Sequence, residues 1–408
     1  MKYGLIGEKL GHSFSPEIHR ALGGYEYELA ELSPEALPVF LRERDFAGIN
    51  VTIPYKEAVI PCLDEVDESA RLIGAVNTVV NREGRLFGYN TDFFGMLSLL
   101  RRAGIDPKGK KVLIAGSGGT SKTAAAVAEA LGAARVYRVS RSGRDGLLSY
   151  EEAREKHRDA ALWINATPCG MFPNAGVSPV DLKDYPALCG VVDAIYNPLR
   201  SRLVLQAQKR GVPATGGLYM LVAQAVRASE LFLDTVYPED LTDRIYEEIL
   251  RRKENIVLIG MPGSGKSTVG RILAGRTGRP LADTDQLVTE KAGKPIPDIF
   301  REDGEPAFRD LESSVIRDLA KTGGQIISTG GGAVLRPENV TALRQNGRLF
   351  WLDRDPGALV PTDDRPLADT EEKMEQLYLA RKPVYRAAAD EIIPVTGTPE
   401  DTAARILP

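Results

Sequence analysis

Residues Val257–Gly270 have the sequence VLIGMPGSGKSTVG, a short apolar run followed by the pattern G-x-x-x-x-G-K-S and a helix-forming segment. This pattern between a strand and a helix predicts a P-loop, in which backbone amides surround the phosphates of a nucleotide. Lys266 would reach the β- and γ-phosphates, and the hydroxyl of Ser267 would ligate Mg²⁺. The stretch therefore predicts an α/β domain that binds ATP and Mg²⁺. The loop residues expected to contact ATP are Gly263, Ser264, Gly265, Lys266, Ser267 and Thr268.

A second glycine-rich loop lies upstream, in the sequence VLIAGSGGTSKTAAAVAEALG of residues Val112–Gly132. Its G-x-G-x-x-S pattern, from Gly116 to Ser121, follows a strand-like run and precedes an alanine-rich segment, as in a dinucleotide-binding loop. The next strand-like run ends in Arg141, where an NAD site would place a carboxylate for the ribose 2′-hydroxyl. Arginine at this position favours a 2′-phosphate and hence NADP. The alternative interpretation is a plain tight turn followed by a solvated surface arginine.

The composition narrows the classes of protein and partner. The chain has 408 residues, 43% hydrophobic and 26% charged, which predicts a soluble globular protein of two or three domains. A formal net charge of -4 without a block of Lys and Arg argues against a nucleic-acid partner. No apolar run approaches the roughly 20 residues that span a bilayer, so no membrane partner is expected. Cys62, Cys169 and Cys189 are odd in number and form no C-x-x-C pair, which predicts a reduced, cytoplasmic location. The composition is compatible with an oligomer but does not specify one.

Strand and helix signals divide the chain into domains. From Lys110 the runs KVLIAG, RVYRVSR, ALWINAT and GVVDAIY alternate with helical segments, which predicts a parallel sheet. Upstream, SPEALPVFLRERD and KEAVIPCL are expected to be helical, and alternating strands around Glu83–Gly84 predict a hairpin. Residues 216–252 are expected to be helical with a break at Tyr237–Pro238. We expect residues 1–252 to form the first part. In it, residues 1–105 and the helices of 216–252 form one domain, and residues 106–215 form a dinucleotide-binding domain. A P-loop domain of residues 253–408 follows.

The N-terminal part carries polar residues in short blocks that a plain core would lack: HSFSP, NVTIPYK, GAVNT and GYNTD. Each block alone could be local capping or turn chemistry. Together with GSGGTS, INATPCGM, YNP and GLYMLVAQA, in this order over residues 1–252, they resemble the shikimate dehydrogenase family. The resemblance implies an N-terminal α/β substrate domain and a Rossmann domain, which together reduce 3-dehydroshikimate reversibly to shikimate with NADPH.

The same resemblance implies Lys56 and Asp92 as the catalytic pair. A hydride that reaches a ketone leaves an alkoxide, so a donor must supply a proton, and a neighbouring carboxylate would orient that donor. An exposed strand-end lysine is the alternative interpretation of Lys56. The implied substrate contacts are Ser13, Ser15, Thr52, Asn77, Tyr196 and Gln224. The implied NADP contacts are Gly116, Gly118, Gly119, Thr120, Ser121, Arg141 and Gly217. The chain has Ser-Arg-Ser at residues 140–142 where the family often has Asn-Arg-Thr, which leaves the strength of the NADP preference open.

The C-terminal part resembles shikimate kinase over about residues 254–396, in the blocks LADTDQLV, IFREDGEPAFRDLE, ISTGGGAV, DRPLA and LARKPVY. The resemblance implies a P-loop α/β domain of the nucleoside-monophosphate-kinase type, with a lid, that phosphorylates shikimate with Mg·ATP. A further arginine that the family often has upstream of Arg-Pro-Leu is missing from this lid.

Roles in the kinase part follow from that resemblance. Asp283 would assist Ser267 at Mg²⁺, and Asp285 would hold the acceptor hydroxyl as the base. Glu312, three residues after Arg309 on a helix, would fix the rotamer of that arginine. The remaining implied residues are Arg309 and Arg381 for the substrate carboxylate, Gly330, Gly331 and Gly332 for close approach to the ring, and Arg365 on the lid for the transferred phosphoryl group. Taken singly, Asp283 and Asp285 could form an Asx turn, and Arg309 and Glu312 could form a solvated ion pair. The glycines could form a plain turn.

The two resemblances combine into one expectation, an enzyme that makes shikimate in its first part and phosphorylates it in its second. Both steps belong to aromatic biosynthesis. An alternative is a quinate/shikimate dehydrogenase joined to a kinase for another small polyol acid such as gluconate. An alternative of another class is a regulatory protein that binds nucleotide and ligand without turnover. Retention of Lys56, Asp92, Lys266 and Asp285 argues against the last.

Overall fold

The computed structural model describes residues 1–11, 13–359 and 371–407 of the chain. The chain forms two compact units, Met1–Leu250 and Arg251–Pro408. Within the described residues no helix is both long and apolar enough to cross a membrane. The helices are α1 (Ser15–Leu22), α2 (Ala36–Glu43), α3 (Glu68–Ile73), α4 (Thr91–Arg102), α5 (Gly119–Ala130), α6 (Tyr150–Lys156), α7 (Arg202–Lys209), α8 (Leu218–Leu233), α9 (Leu241–Lys253), α10 (Lys266–Thr277), α11 (Thr284–Ala292), α12 (Ile296–Glu302), α13 (Gly304–Leu319), α14 (Pro337–Asn346), α15 (Glu371–Ala388) and α16 (Pro399–Ile406).

The first unit begins with a mixed N-terminal sheet. Its strands are β1 (Tyr3–Gly7), β2 (Glu28–Glu31), β3 (Gly48–Val51), β4 (Glu65–Val66), β5 (Thr78–Arg82) and β6 (Arg85–Tyr89), in the order β2-β1-β3-β5-β6-β4. Strands β5 and β6 pair antiparallel around Glu83 and Gly84, both at positive φ, which confirms the predicted hairpin. One face of the sheet packs against α2 and the other against the end of α8, where Val80 meets Phe232. Cover on both faces explains why β1 and β3 are buried throughout.

A second, dinucleotide sheet completes the first unit. Its strands are β7 (Lys111–Ala115), β8 (Arg135–Ser140), β9 (Leu148–Ser149), β10 (Leu162–Asn165), β11 (Gly190–Asp193) and β12 (Ala214–Thr215), in the order β12-β11-β10-β7-β8-β9. All neighbouring strands are parallel, as predicted. From β9 onward this is the 3-2-1-4-5-6 order of a Rossmann fold. Ile114 faces α4, α5 and α8, while Leu113 faces α6 and α7, so successive side chains fill two separate cores.

The second unit is built on one P-loop sheet. Its strands are β13 (Asn255–Ile259), β14 (Leu281–Asp283), β15 (Ile326–Ser328), β16 (Gly347–Asp353) and β17 (Glu391–Pro394), in the order β14-β15-β13-β16-β17. All pairings are parallel, and alternate residues of β13 face α15 on one side and α10 with α16 on the other. Because β13 is the central strand, the loop that follows it lies between neighbouring strand ends, where α/β sheets bind ligands.

Some local predictions differ from the structure. The segment KEAVIPCL was expected to be helical, but it forms turns and a 3-10 turn at Ile60–Cys62. Pro61 has no N–H to donate, so a regular helix could not continue through it. Helix α2 begins at Ala36, later than predicted, and the Ser33 hydroxyl accepts from the Ala36 amide at 3.3 Å. Residues 216–252 form α8 and α9 as expected, with a non-helical gap wider than Tyr237–Pro238.

Candidate active sites

One cavity of about 240 Å³ in the first unit lies where the carboxyl ends of β3, β10 and β11 meet α8. Strands β10 and β11 end at the same edge of the dinucleotide sheet and β3 comes from the N-terminal sheet, so residues far apart in the sequence are gathered there. The predicted residues that line it are Ser13, Ser15, Thr52, Lys56, Asn77, Asp92, Thr120, Tyr196, Gly217 and Gln224. The structure thus brings most of the implied dehydrogenase residues into one space.

The charged groups of this cavity are Lys56 and Asp92. Lys56 follows β3, and Asp92 lies in the first turn of α4, which the Asn90 side chain caps by accepting from the amide of Phe93. The Lys56 Nζ donates to Asp92 Oδ2 at 2.5 Å, and the two side chains are only 14% and 9% exposed. A charge-assisted bond of this kind fixes the ammonium in one orientation. The pair can therefore present a proton to a ligand in the cavity.

The dinucleotide loop lies against this lysine. A Cβ added at Gly119 would lie 3.4 Å from Lys56 Cδ, so the loop backbone borders the lysine stem. Gly116 has φ +131°, and a Cβ there would lie 3.0 Å from Ala166 O, so the turn requires glycine. The Ser121 hydroxyl donates to Gly118 O at 2.7 Å and is buried, which holds the loop in shape. The loop leads into the N-terminus of α5, whose free amides suit a pyrophosphate, so the residues present fit a dinucleotide.

Arg141 lies directly after β8, at the position predicted for reading the adenosine ribose. Its side chain is exposed and does not line the cavity. The predicted loop residues Gly116, Gly118, Gly119 and Ser121 do not line the cavity either. No carboxylate occupies this strand end, where the sequence is Ser-Arg-Ser. The residues therefore fit a 2′-phosphate better than a free 2′-hydroxyl.

A buried carboxylate supports the turn after β11. Asp193 Oδ1 accepts from Asn165 Nδ2 and from the Ile195 amide, both at 3.0 Å, and Oδ2 accepts from Ser201 Oγ at 2.5 Å. Burial raises the pKa of Asp193 to about 7, although the three hydrogen bonds oppose the shift. Ile195 and Tyr196, next in the chain, line the cavity. Asp193 thus shapes a cavity wall without facing the ligand space.

A larger cavity of about 480 Å³ lies in the second unit, at the carboxyl ends of β13, β14 and β15. The predicted residues that line it are Gly263, Gly265, Lys266, Ser267, Thr268, Asp283, Asp285, Arg309, Gly330, Gly331, Gly332 and Arg381. Ser264, also predicted to contact ATP, is fully buried and does not line the cavity. Arg365 lies outside the described residues.

The P-loop encloses the end of this cavity next to β13. Gly263 and Gly265 have φ +78° and +95°, values that favour glycine. Lys266 Nζ donates to Gly260 O at 3.0 Å and Met261 O at 2.8 Å. An ammonium held across a loop of amides suits polyphosphate, so the residues fit ATP.

Oxygen ligands for a cation stand beside the loop. The Ser267 hydroxyl donates to Asp283 Oδ2 at 2.7 Å and lies 3.2 Å from Ser328 Oγ. Asp283 also caps α11 by accepting from the Asp285 amide at 3.0 Å. Hydroxyl and carboxylate oxygens are the ligand types that Mg²⁺ takes, so this donor set fits the predicted ion.

The opposite end of the cavity is built around Arg309 on α13. Its Nη1 donates to Glu312 Oε2 at 2.9 Å, and its Nε and Nη2 donate to Glu305 Oε1 at 3.2 and 3.1 Å. Glu312 is fully buried, and burial raises its pKa, while the charge of Arg309 opposes the shift. The predicted contact of Glu312 with Arg309 is present. Arg381 is also buried and donates to Gly331 O at 3.2 Å.

The three glycines after β15 make room for protein groups as well as for a ligand. A Cβ at Gly330 would lie 2.5 Å from Asp285 Oδ1 and 2.8 Å from Glu312 Oε1. A Cβ at Gly332 would overlap the guanidinium of Arg309, and one at Gly331 would overlap Pro262. Side chains at these positions would displace the acidic and basic groups of the site.

Several lining residues were not predicted from the sequence. In the first cavity they include Asn50 on β3 and Met171 after β10; in the second they include Arg354, whose Nη1 lies 3.5 Å from Gly263 O. Asn50 stands two residues before Thr52, and period-two alternation along β3 would have indicated it. Arg354 and Met171 carry no such signal, because loops place them.

Comparison with known proteins finds matches in both units. Residues 5–79 match the family described as the shikimate dehydrogenase substrate binding domain, and residues 262–408 match shikimate kinase. A shikimate dehydrogenase (NADP(+)) of Clostridium perfringens is 36% identical over 265 residues, which cover 60% of this chain and 97% of the relative.

Solved structures resemble the same part of the chain. Shikimate dehydrogenase 1 of Peptoclostridium difficile has a TM-score of 0.58 at 37% identity, covering 61% of this chain and 98% of that chain. Shikimate 5-dehydrogenase of Thermus thermophilus, solved in complex with NADP(H) and shikimate, has a TM-score of 0.55 at 33% identity, covering 61% of this chain and 99% of that chain. The chain therefore belongs to the shikimate dehydrogenase family in its first unit and carries a shikimate kinase domain in its second.

Proposed function

We propose how the residues of the two cavities carry out the two reactions of this bifunctional shikimate-pathway enzyme, the reduction of 3-dehydroshikimate and the phosphorylation of shikimate. The observation that carries the proposal is the arrangement of reacting groups. The first cavity holds the buried Lys56–Asp92 pair beside the dinucleotide loop. The second holds the P-loop, the Ser267–Asp283 pair and Arg309.

In the first cavity Lys56 is the proton donor. NADPH, when bound, supplies the hydride to the substrate carbonyl carbon. The Lys56 ammonium gives a proton to the carbonyl oxygen, and Asp92, 2.5 Å away, keeps the ammonium aimed and balances its charge. In the reverse direction the neutral amine takes the proton back from the hydroxyl.

Neutral polar groups orient the substrate ring around that pair. Ser13 and Ser15 lie with their hydroxyls 3.1 Å apart at the start of α1, while Thr52, Asn77, Tyr196 and Gln224 line the remaining walls. We assign these groups to the ring hydroxyls and carboxylate of the substrate. The loop residues Gly116, Gly118, Gly119, Thr120 and Ser121, with Gly217 and Arg141, are assigned to NADP. Buried hydrogen-bonding groups of fixed geometry select a ligand whose own polar groups match them.

In the second cavity Asp285 is the base and Arg309 the substrate anchor. Mg·ATP, when bound, supplies the phosphoryl group; Ser267 and Asp283 would hold the ion, and Lys266 the phosphates. Asp285 accepts the proton of the attacking hydroxyl, while Arg309 and Arg381 bind the substrate carboxylate. Arg365 is assigned to the charge of the transferred phosphoryl group.

A coupled assay on the full chain tests these assignments. With 3-dehydroshikimate, NADPH and Mg·ATP, we expect equal amounts of NADPH oxidised and shikimate 3-phosphate formed. ADP should appear only after shikimate does. With NADP⁺ as the oxidant, quinate should give less turnover than shikimate at the first site, and with Mg·ATP gluconate should give less turnover than shikimate at the second. Preferred turnover of either one would favour the alternative enzyme, and ligand binding without any turnover would favour a regulatory protein.

We also propose that the domains divide as predicted, at residues 1–252 and 253–408, and that the enzyme is cytoplasmic. Two compact units and three free cysteines, Cys62, Cys169 and Cys189, support these assignments. Separate expression of residues 1–252 and 254–408 should give two soluble active proteins. Cell fractionation should recover both activities in the cytoplasm; loss of either activity on separation would contradict the domain proposal.

A further inference from the structure

We propose that Tyr27 is a positioning residue of the dehydrogenase site, which acts from outside the cavity through a continuous chain of hydrogen bonds. The chain runs from Tyr27 through Asn50, Thr78 and Thr91 to Gln224. The inference rests on the proposed function, since it takes Asn77 and Gln224 to be substrate contacts. Nothing in the local sequence YEYELAEL marks Tyr27 as part of a site.

Tyr27 is a fixed donor at the start of this chain. Its hydroxyl donates to Asn50 Oδ1 at 2.7 Å. Its ring stacks on the ring of His19, with centroids 3.7 Å apart and planes within 5°. His19 is fully buried, so the stacked pair has little freedom to move. Tyr27 itself does not line the cavity.

Asn50 connects the Tyr27 hydroxyl to residues of the cavity wall. Its Nδ2 donates to Asn77 O at 3.3 Å and to Thr78 Oγ1 at 3.0 Å. A backbone carbonyl can only accept, so the amide nitrogen must face Asn77 and the amide oxygen must face Tyr27. The Tyr27 hydroxyl therefore donates to the amide oxygen of Asn50, while the amide nitrogen serves the other two hydrogen bonds.

Thr91 connects Thr78 and Asn77 to Gln224. The Thr91 Oγ1 lies 3.0 Å from Thr78 Oγ1, accepts from Asn77 Nδ2 at 3.1 Å and can donate to Gln224 Oε1 at 3.4 Å. The single proton of this hydroxyl can go to Gln224 Oε1 or to Asn77 Oδ1, which lies 3.2 Å away. The Thr91 amide also donates to Asn77 Oδ1 at 2.7 Å. The Thr78 hydroxyl likewise has Asn77 Oδ1 as a second acceptor at 3.2 Å, so both threonines hold the Asn77 amide while they link Tyr27 to Gln224.

The consequence is a fixed orientation for two amides that line the cavity. Asn77 is held by Thr91, and Gln224 is held by Thr91 and by its own Nε2 bond to Leu221 O at 2.9 Å. Loss of the Tyr27 hydroxyl would leave a buried oxygen of Asn50 without its donor and loosen the chain. Lys56 and Asp92 bond to each other outside this chain, so substrate binding should suffer and proton transfer should not.

A pair of neighbouring tyrosines supplies the test. Tyr27→Phe in the full chain removes only the donor, whereas Tyr25→Phe removes a hydroxyl that lies 2.5 Å from His19 Nδ1 and takes no part in the chain. For Tyr27→Phe we expect the KM for 3-dehydroshikimate to rise about three- to tenfold, the loss of roughly one buried hydrogen bond. Its kcat and its KM for NADPH should stay within about twofold of wild type. Tyr25→Phe should leave all three constants unchanged.

Thr78→Val breaks the same hydrogen-bond chain between Asn50 and Thr91. It provides a second test if Tyr27→Phe does not fold. It should raise the same KM, and an unchanged KM for NADPH shows that the dehydrogenase unit of each variant is folded. The inference is overturned if the KM is unchanged in the folded chain-breaking variants, if Tyr25→Phe raises it equally, or if only kcat falls. A wild-type chain that does not reduce 3-dehydroshikimate would instead overturn the proposed function.

Discussion

The two cavities use different kinds of polar group. Among the described residues that line the dehydrogenase cavity, the charged side chains are Lys56 and Asp92, surrounded by amides and hydroxyls. The kinase cavity is lined by many charged groups: Lys266, Arg309, Arg354, Arg381, Asp283, Asp285 and Glu312. The contrast follows the chemistry. Reduction needs one proton at an uncharged oxygen, whereas phosphoryl transfer needs several cations near a polyanion.

The two sites also keep their side chains in place by different means. In the first unit a neutral chain from Tyr27 to Gln224 satisfies buried donors and acceptors among themselves. In the second unit the buried Glu312 is held by the charge of Arg309, which offsets the cost of burying a carboxylate. Removal of one group should therefore loosen the hydrogen-bond chain of the first site and should unbalance charge in the second.

The largest expected effect separates the two activities at Lys56. Lys56→Ala should lower kcat for reduction by about 10²–10⁴-fold, because the donor of the proton is lost. Kinase turnover by the same protein should be unchanged. Steady-state rates of NADPH oxidation and ADP formation measure both. Reduction at near wild-type kcat would contradict the assignment of Lys56 as proton donor.

The complementary change is Lys266→Met, which should lower the kinase kcat by roughly 10²–10³-fold while reduction continues. In the wild-type chain the Lys266 ammonium donates to Gly260 O and Met261 O, and the methionine has no ammonium to bind phosphate. Shikimate phosphorylation is measured with saturating Mg·ATP, and NADPH oxidation is the control. A parallel fall of both rates would show that the sites are not independent.

A smaller effect is expected for cofactor choice. Arg141→Ala should raise the KM for NADPH about tenfold and leave the KM for NADH nearly unchanged, because a charged contact to a 2′-phosphate is lost at an exposed position. Initial rates with each cofactor give the two values. Arg144→Ala, three residues on in the same loop, is a matched control. Equal effects on both cofactors would assign Arg141 to the surface instead.

The smallest effect concerns stability against pH in the first unit. Burial lowers the pKa of His19 to about 3 and raises the pKa of Asp193 to about 7. As pH falls from about 6.5, the unfolded chain protonates the histidine and the native state does not, so this term destabilises by about 1.4 kcal/mol per pH unit. Asp193 acts oppositely, because between about pH 7 and pH 4 only the native state holds its proton, and acidification therefore stabilises.

Two variants separate these opposing terms. From pH 7 to pH 5, His19→Gln should become relatively more stable than wild type, and Asp193→Asn relatively less stable. Calorimetric Tm values should diverge by a few degrees, at about 2–4 °C per kcal/mol for a unit of this size. The second unit contains no histidine and serves as the internal reference. Parallel pH profiles for all three proteins would show that neither group titrates as described.

Much of the fold was predictable because its signals are local. The P-loop and the dinucleotide loop depend on glycines and polar groups a few residues apart, and the buried strands of both parallel sheets are continuous apolar runs. The hairpin at Glu83–Gly84 is likewise confirmed. The expected helix at KEAVIPCL was wrong, because the backbone of Pro61 outweighs the apolar pattern around it. The separate role of each predicted site residue stays a prediction for the experiments above.

The sequence by itself determined the two loops, the parallel sheets, the family and the residue types that each reaction needs. Only the tertiary structure decided which groups touch. It joins Tyr27 to Asn50 across 23 residues and Thr91 to Gln224 across 133. It also adds Glu305 to the partners of Arg309 and brings Asp285 and Glu312 into the space that a Cβ at Gly330 would need. Spacing along the chain sets local backbone conformation, whereas burial and partnership depend on how distant strands and helices pack, and these in turn set orientation and pKa.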